Sequence, residues 1–336
     1  MRAITLKFAS FLITIPVIMF LLAASASAQF ELSSTASASL KKLERTYAIE
    51  IVATNPSFPV KQTYGVIDGK RADLKELESY ISLFAPEFSI YPQSLVKLVQ
   101  LKRVVLCKEL SFAGQRRNAI PDFEHDTLYL DASRGAYSRP YMRKVMHHEF
   151  FHIIDWRDDG KLYQDDVWSA LNPKSFKYGS GGINAQDKAF SSILTDRFPG
   201  FLNYYSTTGV EEDKAELFAN LIVDPVYVED RIKKDEVLGA KLKMLIGLLK
   251  NFCPDMNEQF WKQLRQARPS AVTTGSQHSI QLTRIGPLTN RSSRFTTQHK
   301  RFEIEVKTNC VALKLPPVNP ARATDSQALQ VFASVA

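Results

Sequence analysis

Apolar residues recur at helical spacing in several stretches of this 336-residue chain. From Ala72 to Phe84 they are Leu74, Leu77, Tyr80, Ile81 and Leu83, which predicts a helix closing near Pro86. From Asp235 to Phe252 the stripe is Val237, Leu238, Leu242, Met244, Leu245, Leu248 and Leu249, and a shorter helix follows near Glu258 to Leu264. Tyr47 to Val52, Arg103 to Cys107 and Thr127 to Leu130 have the alternation or β-branched content of strands, whereas Ser111 to Phe123 reads as a loop. Two further segments look helical and carry unusual polar residues: Val145 to Ile154, and Tyr204 to Ala219 continuing through Leu221 and Ile222. Strands and helices do not alternate regularly, so the fold class expected is α+β, mostly helical with a small mixed sheet.

The two ends differ from this body. Arg2 and Lys7 precede an apolar run from Phe8 to Ala24, and Ala26-Ser27-Ala28 is a small-residue cleavage pattern, so residues 1–28 read as a secretory signal peptide and the protein as exported, secreted or periplasmic. The run is short of the roughly 20 residues of a spanning helix, and an uncleaved anchor is the alternative. Residues 29–266 form the expected domain. Residues 267–336 are rich in Ser, Thr, Asn and Gln and read as a basic, low-complexity, disordered tail.

The formal net charge of +8 suggests nucleic acid until it is apportioned. Two positive charges belong to the leader, and from Arg268 onward nine Lys or Arg face only Glu303, Glu305 and Asp325, which leaves the body near neutral. Phe295 and Phe302 are the only aromatic residues beside the tail's basic ones, short of the interleaving a nucleic-acid site needs, so no nucleic-acid partner is expected. Three cysteines are too few for a disulfide scaffold; Cys107 and Cys253 could pair, leaving Cys310, or all three could be free.

The chemistry is concentrated in His148-Glu149-Phe150-Phe151-His152, an HExxH motif framed by Val145, Met146, Ile153 and Ile154. On a helix, four residues advance about 400° and roughly 6 Å, so His148 and His152 leave one face a turn apart and can share a metal ion. Glu149 lies about 100° round the helix, placed to act as general base on a metal-bound water whose pKa falls from about 15.7 towards roughly 7. The apolar frame implies a buried helix, and buried histidines need partners.

A catalytic zinc takes three protein ligands and keeps a position open. Asp158 follows His152 at the short zincin spacing, but Asp155 occupies a position where the chain would need a glycine to turn back. Downstream, Glu212 and Glu216 share one helical face. Glu212 can ligate the metal while Glu216, one turn deeper, accepts the N–H of a ligating histidine. Glu211 is a rival third ligand, and an acidic helix start in solvent would also suit Glu211, Glu212 and Asp213. Asp155, one turn beyond His152, could support the metal site or cap the helix.

The order HExxH, then Tyr205, then Glu212-x-x-x-Glu216 and a small apolar run resembles the gluzincin metallopeptidases, in particular the catalytic domain of the anthrax lethal factor family. The likeness covers roughly residues 140–225 and is one of motif. It implies a zincin-like fold with the sheet beside the zinc helix, one Zn2+ held by His148, His152 and Glu212, Glu149 as base, Tyr205 as oxyanion donor, Glu216 behind the ligands, and a peptide or protein substrate. In zincins the strand before the zinc helix is a sheet edge along which substrate lies; by resemblance that edge is Asp126 to Asp131, an interior strand being the alternative. Phe151 stands where the family's HEFGH has glycine, and the loop between the two helices is longer.

Arg116 and Arg117 could read a substrate carboxylate, but bracing of their loop through Asp122 and Glu124 is favoured. Tyr178 to Gly182 borders the expected cleft as a glycine-containing loop; without a following Lys-Ser/Thr it is no phosphate loop. The function expected is an exported zinc metallopeptidase. A non-catalytic exported protein holding peptides or an envelope component on the same scaffold is the competing class, and a zinc hydrolase of non-peptide amides is a third.

Overall fold

The computed structural model describes residues 30–136, 138–179, 181 and 191–268. The expected signal segment, the basic tail from residue 269, Cys310, and residues 180 and 182 of the glycine loop lie outside these residues. Among the described residues no helix is long and apolar enough to cross a membrane.

The chain opens with helix α1 (Ser34–Tyr47), then strands β1 (Glu50–Val52), β2 (Val60–Gln62) and β3 (Gly65–Lys70). Helices α2 (Leu74–Phe88) and α3 (Gln93–Leu98) lead to β4 (Arg103–Phe112), β5 (Gln115–Arg116), β6 (Ala119–Asp122) and β7 (Thr127–Asp131). The rest is helical: α4 (Arg139–Asp159), the short α5 (Asp166–Ser169), α6 (Val210–Val223), α7 (Pro225–Ile232), α8 (Glu236–Phe252) and α9 (Glu258–Ala267). The class is α+β, as the sequence predicts.

The sheet runs β2-β3-β4-β7-β6, with β1 also on β4 and β5 closing a hairpin with β4. It is mixed: β4 pairs in parallel with β1 and β7, and β7 pairs antiparallel with β6. This corrects two expectations. Asp126 to Asp131 is not the edge, because β7 lies between β4 and β6. Ser111 to Phe123 is not one loop; it contains β5 and β6, and β6 is the terminal strand. Proline within Ala119–Asp122 hides that strand from a propensity reading yet suits an edge, where a missing N–H costs no ladder bond.

Helix α2 starts where the Glu76 side chain accepts from the Asp73 N–H at 2.9 Å, and it continues past Pro86. Packing overrides the proline: Phe84, Glu87 and Phe88 are all buried on either side of it. The main core lies between sheet and helices and includes Phe84, Phe88, Phe150, Trp168 and Phe218. Phe88 meets Phe150 at 5.3 Å between centroids, and Phe151 meets Phe218 at 4.9 Å, so residues either side of the motif's charged positions fasten α4 to α2 and α6. Phe151, the departure from the lethal factor pattern, therefore lies against α6. Cys107 and Cys253 are both buried free thiols, which for these two decides between the pairing and the free-thiol alternative in favour of the second.

A polar cluster backs α4 on the side away from the motif's metal face. Glu87 takes Arg143 Nε at 2.7 Å, Arg268 Nη1 at 2.9 Å and His147 Nε2 at 3.1 Å, while Tyr91 Oη approaches His147 Nδ1 at 2.6 Å. Burial alone would raise the Glu87 carboxyl, but His147 and Arg268 hold it down to about 2, against 4.5 for an ordinary glutamate. Because the folded value is the lower one, the stabilisation is fully present above about pH 4.5 and is lost as pH falls from there through about 2. Glu87→Gln should therefore destabilise the protein at neutral pH by a few kcal/mol, and the gap to wild type should close between those two pH values, as read by thermal unfolding across an acid series.

Candidate metal centre and active-site cleft

Helix α4 starts with Pro140 in its first turn and ends at Gly160, whose φ of +74° lets the chain leave in the left-handed region. The Gly160 N–H returns to Trp156 O at 3.0 Å. Between these ends His147, His148, His152 and the apolar frame are all buried, as the motif's flanks require. Helix α6 lies against it and is buried on every side, charged residues included.

The two helices bring His148, His152 and Glu212 together, each buried, with one candidate ligand atom from each within 4.8 Å of the others. His148 Nε2 is 3.1 Å from His152 Nε2 and 3.0 Å from Glu212 Oε2, and His152 Nε2 is 3.7 Å from Glu212 Oε2. Tetrahedral zinc with nitrogen and oxygen ligands at about 2.0–2.1 Å needs donor atoms about 3.3 Å apart. The donor triangle fits such an ion in both size and chemical type. Two imidazole nitrogens facing one carboxylate oxygen is also a donor set a small divalent cation completes without changing any neighbour.

Electrostatics follow from this crowding. Burial pushes His148 down, but Glu212 and Glu216 outweigh it and hold the imidazole up to about 10. Burial likewise raises Glu212, and the two histidines reverse it, to about 2. His152 is pushed down by burial. Glu149 has no such partner: burial raises its carboxyl to about 8, and its Oε2 has no hydrogen-bond partner among the described residues. Nδ1 of His148 and of His152 are also without one.

Glu216 lies behind His148, its Oε1 3.1 Å from His148 Nδ1 but off the line of a hydrogen bond. Its other oxygen accepts from Lys144 Nζ at 2.9 Å and Asn203 Nδ2 at 2.5 Å. Despite burial, Lys144 and His148 hold Glu216 well below the usual carboxylate range. Lys144 and Asn203 are residues the sequence reading missed. Lys144, one turn before His148 on the same face, carried a signal, as a cation bordering an apolar stretch; Asn203 carried none.

Tyr205 begins a 3-10 turn (Tyr205–Thr207) before α6 and donates its hydroxyl to Glu212 Oε1 at 2.9 Å, its ring 5.9 Å from that of His148. It therefore touches the candidate ligand as well as lining the cleft. Glu211 is turned away: its carboxyl folds back over Gly209, where a β-carbon would collide with it, and it is outside the donor triangle. Asp155 supports no ligand and caps no helix end; its Oδ1 accepts from Lys214 Nζ at 2.8 Å. The cleft, about 250 Å3, is lined by Glu149, His148, Tyr205, Tyr141, Arg117 and Ala119 of the edge strand among others.

No family model and no curated protein matches the chain. Among solved structures, a "putative zinc-binding metallo-peptidase" from Bacteroides caccae is similar at a TM-score of 0.45 and 16% identity, over 71% of this chain and 94% of that one. At that level a shared outline does not transmit function, which lives in sites. The resemblance to the lethal factor family rests on the motif residues alone.

Glu216→Gln should leave the chain folded and weaken divalent-metal binding about 10- to 100-fold, the usual cost of losing the group behind a ligating histidine. Competition with a chromogenic chelator measures the affinity, and the melting temperature reads the fold separately.

Proposed function

We propose that the chain is an exported zinc-dependent peptidase whose ion is held by His148, His152 and Glu212. The observation that carries the reading is the buried donor triangle with Glu149 beside it, a half-buried residue that lines the cleft with His148 and whose Oε2 has no hydrogen-bond partner among the described residues. Bound there, zinc would supply Lewis acidity towards the scissile carbonyl and the attacking water. Glu149 takes the proton from that water and later returns it to the leaving amine; its burial favours the protonated form and so the uptake of that proton. Tyr205 offers its hydroxyl to the oxygen that becomes negative. Glu216, paired with Lys144, sets its charge behind the His148 ring, 3.1 Å from Nδ1. Substrate lies extended along β6, whose first residue, Ala119, forms part of the cleft wall. Export is supported by the leader-like residues 1–28 and peptide substrates by the motif resemblance.

Purified protein should contain one zinc per chain and cleave an unfolded protein substrate, with activity lost to a chelator and restored by zinc. Glu149→Gln should keep the metal and lose nearly all turnover. A well-folded chain that takes up no zinc refutes the reading, and one that takes up zinc and holds peptides without cutting them supports the non-catalytic alternative.

Tyr205→Phe separates that residue's two possible roles. As an oxyanion donor it should cost about 2.7–4 kcal/mol in kcat with zinc affinity unchanged. If it serves only to hold Glu212, the loss should fall on zinc affinity instead.

A further inference from the structure

The cleft does not end at the residues around Glu149. A second cavity, about 630 Å3, opens beside it and shares Tyr141, Lys144 and Ser192 with it. This cavity lies between the N-terminal turns of α4 and the C-terminal turns of α6, and its volume is within the range of about 300–1,000 Å3 typical of ligand pockets. Among the described residues its wall includes none of His148, Glu149, Tyr205 or Glu212.

The charged and amide side chains of the wall are already engaged within the protein. Lys144 Nζ donates to Glu216 at 2.9 Å, and Arg143 Nε and Arg268 Nη1 donate to Glu87 at 2.7 and 2.9 Å. Asn220 Nδ2 donates to Glu216 O at 2.7 Å, and Asp224 Oδ1 accepts the Tyr227 N–H at 3.0 Å, capping α7. An ion entering here would have to compete with those partners while losing its water. What the cavity offers an incoming group is the apolar surface of Pro140, Tyr141, Leu194, Val223 and Ala267. Apolar surface also continues to the rim, where Tyr141 is 38%, Leu194 36% and the adjacent Ile193 55% exposed.

The helix positions set the distance from the reacting bond. Tyr141 stands seven residues before His148 on α4, about 10 Å along the axis at about 1.5 Å per residue. Asn118 Nδ2 donates to its hydroxyl at 3.3 Å, which holds the ring at the boundary between cleft and cavity. An extended peptide covers about 3.3 Å per residue, so a chain lying in the cleft reaches the cavity with a side chain about two to four residues from the bond cleaved.

We infer that this cavity is a remote subsite for a bulky apolar side chain of the substrate, aromatic or branched aliphatic, about two to four residues from the bond cleaved; the inference rests on the peptidase reading of the adjoining cleft. Continuity identifies the occupant: an extended chain leaving the cleft past Tyr141 and Lys144 enters the cavity directly. Val223 and Leu194 set how large a side chain fits.

Peptides of one length and one cleavable core, with Phe, Leu, Ala or Asp placed in turn at each outlying position, test this, and mass spectrometry of the products locates the cut. Wild-type kcat/KM should favour Phe or Leu over Ala by about 10- to 100-fold at one position two to four residues from the cut, with Asp no better than Ala. Val223→Phe, which fills the cavity, should move the preference at that position to small side chains and leave the Ala peptide unchanged. Leu194→Ser, at an exposed position that the fold does not depend on, should lower the same preference about 3- to 10-fold.

Binding supplies a readout that needs no turnover. In the Glu149→Gln protein the Phe peptide should bind about tenfold more tightly than the Ala peptide by calorimetry, and adding Val223→Phe should abolish the difference. That binding pattern without any cleavage by wild type would sink the peptidase reading and leave the subsite standing. Equal handling of the Phe and Ala peptides by wild type, a preference for Asp, or an equal loss on every peptide in Val223→Phe overturns the inference. So does faster cleavage of every peptide in Val223→Phe, the result expected if the residues that follow Arg268 in the sequence fill the cavity instead of substrate.

Discussion

Helix α6 can occupy the core because four of its five charged side chains meet a charged partner there, while burial pushes the fifth, Glu211, up to about 8. Glu211, Glu212, Asp213, Lys214 and Glu216 are each at most 2% exposed. An ion buried without a counter-charge costs several kcal/mol, more than most single packing contacts return. Glu212 meets His148 and His152, Lys214 meets Asp155 at 2.8 Å, Asp213 meets Lys241 at 2.7 Å, and Glu216 meets Lys144 at 2.9 Å. Three of these pairings reach α4 and one reaches α8. Sliding α6 by a turn would strand all four, whereas apolar contacts such as Phe151 with Phe218 would adapt. The charges set the register, and the aromatic contacts fill it.

That register places the functional atoms as a by-product. Once Lys144 and Asp155 have fixed α6 along α4, Glu212 has only the two histidines to face. The segment before α6 is tied into the same arrangement: Asn203 donates to Glu216, Tyr205 to Glu212, and Tyr178 to Asp213 at 2.6 Å. A long loop between the helices is therefore anchored at its far end by the carboxylates it leads to. Lys241 also accounts for the approach of α8, since it bonds Gly200 O at 2.7 Å and lies 3.6 Å over the Phe201 ring.

How much of this was legible in the sequence depends on where the partner of each residue lies. His148 with His152, and Glu212 with Glu216, could be found because four-residue helical spacing puts each pair on one face, and Glu149 comes with the motif, about 100° round the helix. The apolar frame correctly announced burial of α4, and the long stripes from Ala72 and Asp235 announced α2 and α8. The polar contents of α6 were harder: sequence placed its acids on a face towards the zinc helix, but gave no notice that Asp213 and Lys214 are buried too. Their partners lie at Lys241 and Asp155, far along the chain, and a charged residue looks solvent-facing until its partner is known. Strands β5 and β6 were invisible for another reason: they are short, and Pro121 argues against a strand except at an edge. Without β6, the sequence leaves β7 as the apparent edge, a place that the structure gives to β6.

Three unpartnered polar atoms cluster on adjacent turns of α4, beside the donor triangle. Along the contact of α4 with α6 every charged side chain of α6 from Glu212 to Glu216 is answered by another side chain. At the cleft the pattern stops: Glu149 Oε2 and the Nδ1 atoms of both motif histidines find no hydrogen-bond partner among the described residues. Each such group costs about 1–3 kcal/mol, and nothing in the packing of α4 requires a glutamate at position 149. Unpartnered polar atoms also lie away from the cleft, as at Tyr80 Oη and Trp261 Nε1, so it is their concentration at His148, Glu149 and His152, beside the donor triangle, that sets this part of α4 apart.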